Sequence, residues 1–205
     1  MATALRNDFN VEASSSTRGF NLPQKLGSKL WAPMFAMSLM GFAAGFIIAL
    51  VRANAIVDGD ASTVEALRHF GPGAMFIGFA AVFAAIAFAI ARILGEFRDG
   101  GGRVQEASGG QVQTLKMPAT ARAFIVGMMM AMMLILAGAV AHLVIGTQIA
   151  GGDATTLANS ESLFVLWEGV RRIGVALYLV SISLGLATIV TVLRFQTSRV
   201  RELAG

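Results

Sequence analysis

Four stretches of about twenty residues contain no Asp, Glu, Lys or Arg, and they limit the fold more than any other feature. They are Leu30 to Val51, Pro72 to Ala91, Ala123 to Ile145, and the core of a longer run, Ile173 to Leu193. An α-helix rises 1.5 Å per residue, so about twenty apolar residues cross a hydrocarbon layer of about 30 Å. The surrounding composition agrees. The 205-residue chain is 56% hydrophobic and 14% charged, against about 25% charged in soluble domains. The expected fold is an all-α integral membrane protein, an up-down bundle of four transmembrane helices. Its spans fall at 30–51, 72–91, 123–145 and 163–194 within a transmembrane domain of residues 30–195.

Residues 1–29 form a polar tail without an apolar stretch followed by a cleavage site. The first apolar run is therefore expected to remain a helix rather than be removed as a leader. Basic residues set the expected orientation. Arg6, Arg18, Lys25 and Lys29 precede span one. Arg92, Arg98, Arg103, Lys116 and Arg122 lie between spans two and three, and Arg194, Arg199 and Arg201 lie at the end of the chain. The loops on the other side hold Arg52 and Arg68 against Asp58, Asp60, Glu65, Asp153 and Glu161. The positive-inside rule places both termini, including a basic tail at 196–205, in the cytoplasm, as in a bacterial-type inner membrane protein. The net charge of +4 follows from this placement and needs no nucleic-acid partner.

The loops carry their own signals. Ser62-Thr63-Val64-Glu65 fits a capping box, and Gly71-Pro72 reads as a stop, so a short surface helix is expected in the first outer loop. Residues 92–122 form a Gly-rich connector, expected as a flexible loop or docking segment. It has no G-x-x-x-x-G-K-[ST] run and hence no nucleotide cradle. Glu168 stands three and four residues before Arg171 and Arg172, so the three can pair on one helix.

Helical spacing assigns the faces. Met34, Met37, Gly41 and Gly45 share a stripe on span one, and Gly41 and Gly45 form a G-x-x-x-G pair. Span two offers Ala81, Ala85 and Ala89. Span three offers Gly127, Ala131, Gly138 and His142, and span four Gly174, Tyr178, Ser181, Gly185 and Thr188. Small residues let helix backbones approach closely, so these stripes are the expected packing faces. Five methionines, Met128, Met129, Met130, Met132 and Met133, surround much of span three. A copper site needs sulfurs converging on one point. Spread around a helix, these read instead as adaptable apolar filler, and Met128, Met129, Met132 and Met133 are expected to face lipid or a partner.

Chemistry has few places to reside. Cysteine is absent, which removes disulfides and thiolate metal sites. Proton pumps and coupled transporters carry ionisable groups inside the membrane, and the four span cores have none apart from His142. His69 and His142 are the two histidines. With Glu168 they make a candidate zinc or copper set, and the histidines alone a candidate haem pair. The expected function is a non-catalytic accessory or structural subunit of a larger membrane complex, such as an oxidoreductase or monooxygenase assembly. The alternative is a small redox or metal protein binding haem or copper near the outer face through His142 and His69.

Overall fold

The computed structural model describes residues 13–15, 19–110 and 112–204. Most of the polar amino-terminal tail, with Arg6 and Arg18, lies outside the described residues. The elements are β1 (Ala13–Ser15), α1 (Leu22–Val57), α2 (Ala61–Ala107), β2 (Gln113–Leu115), α3 (Ala119–Ala150), α4 (Ala154–Ala158) and α5 (Ser160–Ala204). The helices α1, α2, α3 and α5 are each long and apolar enough to cross a membrane, and they contain the four uncharged runs.

Side-chain caps fix the helix starts. Asn21 and Gln24 cap α1 reciprocally: the Gln24 amide donates to Asn21 Oδ1 at 3.1 Å, and the Asn21 amide donates to Gln24 Oε1 at 2.9 Å. This pairing satisfies two donors that a helix start leaves unpaired. At α2 the cap is Asp60 rather than Ser62. Its Oδ1 accepts from the Thr63 amide at 3.1 Å and the Ser62 hydroxyl at 2.9 Å. Gly59, at φ +74°, makes the turn before it. Asp153 caps α4 in the same way, and the Thr156 hydroxyl together with the Thr155 and Thr156 amides holds its carboxyl below the ordinary value.

Two expectations about the loops are corrected. The segment after Ser62 is not a separate surface helix: α2 runs unbroken through Gly71 and Pro72. A proline removes one backbone donor and crowds one turn, a local cost that the packing of a long helix can override. Nor is the first half of the Gly-rich connector a loop. The same helix continues through Gly100, Gly101 and Gly102 to Ala107, with Arg103 paired to Asp99 at 2.8 Å one turn away. The glycine run has a packing reason: Gln196 lies directly against Gly101 and donates to the Phe97 carbonyl at 3.2 Å. Beyond the helix, β2 pairs antiparallel with β1. The buried Gln105 side chain ties this strand back to α2, accepting from the Gln113 amide at 2.6 Å and donating to its carbonyl at 3.2 Å.

The chain forms two compact units, with the boundary inside each long helix. The first comprises Met1–Trp31, Ile86–Val126 and Ser181–Gly205. Within it a β-carbon on Gly27 would stand 2.6 Å from the Phe88 carbonyl oxygen, and Gly185 packs on Ile90 and Phe124. Ser181 and Thr188 are buried; the Thr188 hydroxyl donates to the Leu184 carbonyl at 2.9 Å and accepts from the Thr120 hydroxyl at 3.0 Å.

The second unit comprises Ala32–Ala85 and Gly127–Val180. Ala81, Ala85, Ala131, Ile135 and Ala139 are buried there, with Gly138 against Phe76 and Gly174 against Ile135. Tyr178 is fully buried and stacks on Phe83, ring centroids 3.8 Å apart. On α1 the tight face runs through Met34, Ser38, Gly41 and Gly45; Ser38 is buried and Met37 is exposed. On α3 it centres on Ala131 and Ile135, which leaves Gly127 at its edge and brings Met128 inside.

Among the glycines of this unit, Gly41 lies tightest against backbone, that of Gly78. A β-carbon on Gly41 would lie 2.6 Å from the Gly78 Cα, and backbone cannot give way as a side chain can. Gly41→Ala should therefore cost about 1–3 kcal/mol and lower the thermal unfolding midpoint in detergent. Gly169 is a helical glycine with nothing within 4 Å. Gly169→Ala should leave the midpoint unchanged or raise it, because alanine loses less backbone entropy in a helix.

Candidate functional site

The second unit buries both histidines. His69 comes from α2 and His142 from α3, and both side chains are fully enclosed. Their Nδ1 atoms are 3.0 Å apart, so the rings share one hydrogen bond. The other nitrogen of His69, Nε2, is 3.0 Å from the Ser160 hydroxyl. That hydroxyl is also bonded to Glu65. Glu65 stands one turn before His69 on α2, and Ser160 is the first residue of α5. Three helices thus supply four consecutive members of one chain of hydrogen bonds.

Aromatic rings enclose the pair. Phe164 meets both imidazoles edge-on, with centroid distances of 5.7 Å to His69 and 5.6 Å to His142. Phe76 meets His142 edge-on at 5.3 Å. Two arginines cover these rings: Arg68 lies 4.5 Å above Phe164, and Arg171 lies 5.3 Å above Phe76. Arg68 also binds Glu65 at 3.2 Å and Glu161 at 2.5 Å. Glu65 lies before the second uncharged run. Burial raises its pKa, but the Ser160 hydroxyl and the Arg68 charge outweigh that effect and hold the carboxyl below its ordinary value.

Proton counting orients the chain. An ionised carboxylate only accepts, so Ser160 donates its single proton to Glu65. The serine oxygen must then accept from His69, which puts the His69 proton on Nε2. A neutral His69 therefore presents a lone pair at Nδ1, and His142 donates to it from its own Nδ1. This leaves the remaining nitrogen of His142, Nε2, as an acceptor. Among the described residues it is buried and has no hydrogen-bond partner.

No family model, curated protein or solved structure matches the chain.

Of the three residues expected as a metal set, the fold brings His69 and His142 into contact. Glu168 is instead bonded to Arg171 and, at 3.3 Å, to Arg172. Among the described residues no group of three His, Asp or Glu side chains is placed to hold one ion. Both His69 nitrogens are occupied by hydrogen bonds, which leaves His142 Nε2 as the open donor atom for a metal or haem iron.

The methionines divide by face. Met128 is buried, and Met132 accepts a hydrogen bond from the Tyr178 hydroxyl at 3.7 Å. Met129, Met130 and Met133 are 63%, 54% and 70% exposed. The outward methionine face is thus Met129, Met130 and Met133, without Met128 or Met132. The shift of the α3 face by one residue, away from Gly127, accounts for the difference.

Sequence reading did not connect Glu65, Ser160, Phe164 or Arg68 to the histidines. Glu65 and His69 are four residues apart, a helical-face spacing that was visible. Ser160 is 91 residues from His69, and no local pattern links them. Ser160→Ala would remove the central hydroxyl and strand the His69 Nε2–H in a buried site. That should cost about 1–3 kcal/mol and lower the thermal midpoint in detergent, whereas Ser160→Thr, which keeps the hydroxyl, should retain most of the stability.

Proposed function

We propose that this protein is a four-span accessory subunit of a larger membrane protein complex. In this reading the helices form an up-down bundle in a bacterial-type inner membrane, with both termini cytoplasmic. The observation that carries it is the poor coverage of α1. Only 11% of its most apolar window is buried within the chain, against 39%, 33% and 28% for α2, α3 and α5. Phe35, Leu39, Met40, Phe46, Ile47 and Leu50 all face outward from α1. Lipid tails are as apolar as these side chains, so helices associate in a bilayer through close packing rather than hydrophobic expulsion. Large, flexible and aromatic side chains spread over one helix offer a partner helix shape to pack against. Met129, Met130 and Met133 offer a second adaptable surface.

One observation favours the alternative of a haem or copper protein. A histidine that donates from one ring nitrogen and keeps the other bare is arranged as metal-ligating histidines are, and His142 has this arrangement. Among the described residues no set of three His, Asp or Glu side chains is assembled to complete the coordination.

Extraction in mild detergent tests the complex. The chain should co-migrate with larger subunits, colourless and without stoichiometric metal of its own; a free monomer carrying haem absorption or bound copper would refute the reading. Sidedness has a separate test, because the chain has no cysteine. Thr155→Cys should react with a membrane-impermeant thiol reagent added to intact cells, and Thr197→Cys should react only after lysis. The reverse pattern would invert the proposed orientation.

A further inference from the structure

A hydrogen-bond network with a purely architectural role pairs its buried polar atoms, since an unpaired one costs about 1–3 kcal/mol. The Glu65–Ser160–His69–His142 chain pairs every link except the last. Every donor in it points the same way, from His142 toward Glu65. One end is a buried imidazole lone pair enclosed by Phe76 and Phe164. The other is a carboxylate that is partly exposed and held by Arg68. We propose that these four residues form a proton-transfer chain, which takes a proton at His142 Nε2 and delivers it to the Glu65 carboxylate.

The transfer balances bond by bond. A hydronium ion gives a proton to His142 Nε2 and leaves as water, and the Nδ1–H bond of His142 breaks as its proton passes to His69 Nδ1. His69 gives up its Nε2 proton to Ser160, and Ser160 gives its hydroxyl proton to Glu65. One proton enters, one carboxylate becomes a carboxylic acid, and both imidazoles end neutral with their tautomers inverted. No imidazolium needs to persist among the phenyl rings, where an isolated charge is expensive. The same transfers in reverse, with the Glu65 proton returning along the chain and one proton leaving from His142 Nε2, restore the starting tautomers.

Charged groups flank both ends of the path. Arg68 and Glu161 flank the Glu65 end, and Arg52 reaches from α1 to the Val64 carbonyl at 3.3 Å. On α5, Glu168 and Arg171 are the charges felt at the His142 ring. The proposal is independent of the complex reading, because it uses residues of this chain only.

The two histidines are the only ones in the chain, so histidine ring-15N labelling reports this site alone. The probe is the full-length protein in lipid nanodiscs, followed by nitrogen NMR across a pH series. Near neutral pH, His69 should be protonated at Nε2 only and His142 at Nδ1 only. As Glu65 takes up a proton on acidification, both rings should exchange tautomers together, leaving His142 protonated at Nε2. Glu65→Gln should hold both rings in their starting tautomers over the same range, and Ser160→Ala should uncouple them from pH. Ser160→Thr keeps the hydroxyl and should preserve the coupled exchange, which covers the case in which the alanine variant does not fold. Tautomers that stay fixed while Glu65 titrates, an imidazolium forming on either ring first, or an unaltered exchange in Glu65→Gln would each overturn the proposal.

Discussion

Four helices of this chain are long and apolar enough to cross a membrane, where a backbone amide would have no water to bond to and would have to find its partner within the folded chain. A long α-helix meets that demand inside one segment, and the rest of this architecture follows from it. Four uncharged runs become four helices that extend well past those runs at both ends. Once the backbone is satisfied locally, what remains is how closely helices can approach. Glycine and alanine decide that here: Gly41 against Gly78 and Gly174 against Ile135 in one unit, and Gly27 against the Phe88 carbonyl in the other.

Polar contacts are sparse in such a setting, and each one carries more weight. The Thr188–Thr120 bond and the Gln196–Phe97 bond join helix to helix in the first unit. In the second, one chain of hydrogen bonds from Glu65 to His142 joins three helices. Its enclosure by Phe76 and Phe164 makes the satisfaction of each atom a matter of stability, since a low dielectric strengthens paired groups and penalises unpaired ones. The bare Nε2 of His142 is the exception within this chain. A buried polar atom left unpaired in an otherwise complete network is where chemistry or a ligand is to be sought.

The features legible in the sequence are those that depend on a single periodicity. Charge-free length marks the helices, and steps of 100° mark the small faces on which Ala81, Ala131, Tyr178 and Ser181 lie. The errors have the same source. Met37 is expected on the packing face of α1, where Ser38 lies instead, and Gly127 is expected on the α3 face, whose centre falls at Ala131 and Ile135. Each is a rotation of the helix about its axis, which depends on the neighbouring helices and not on the segment itself. Gly71-Pro72 reads as a stop, and the Gly-rich segment 92–122 as a flexible connector, because local propensity disfavours helix at such residues. One long helix, α2, carries on through both Gly71-Pro72 and Gly100 to Gly102, and at Gly101 the close approach of Gln196 makes use of the missing side chain.

The sequence by itself determined that the chain would be made of four apolar helices, because backbone satisfaction and hydrophobic length are properties of a segment. It also marked His69, His142 and Glu168 as the residues where chemistry was to be sought. Only the tertiary structure decided how they are used. It joined His69 to His142 across 73 residues and to Ser160 across 91, while Glu168 was taken by two arginines of its own helix. Hydrogen bonds between helices depend on which rotations the packing selects, and that selection is made by the whole assembly of faces at once.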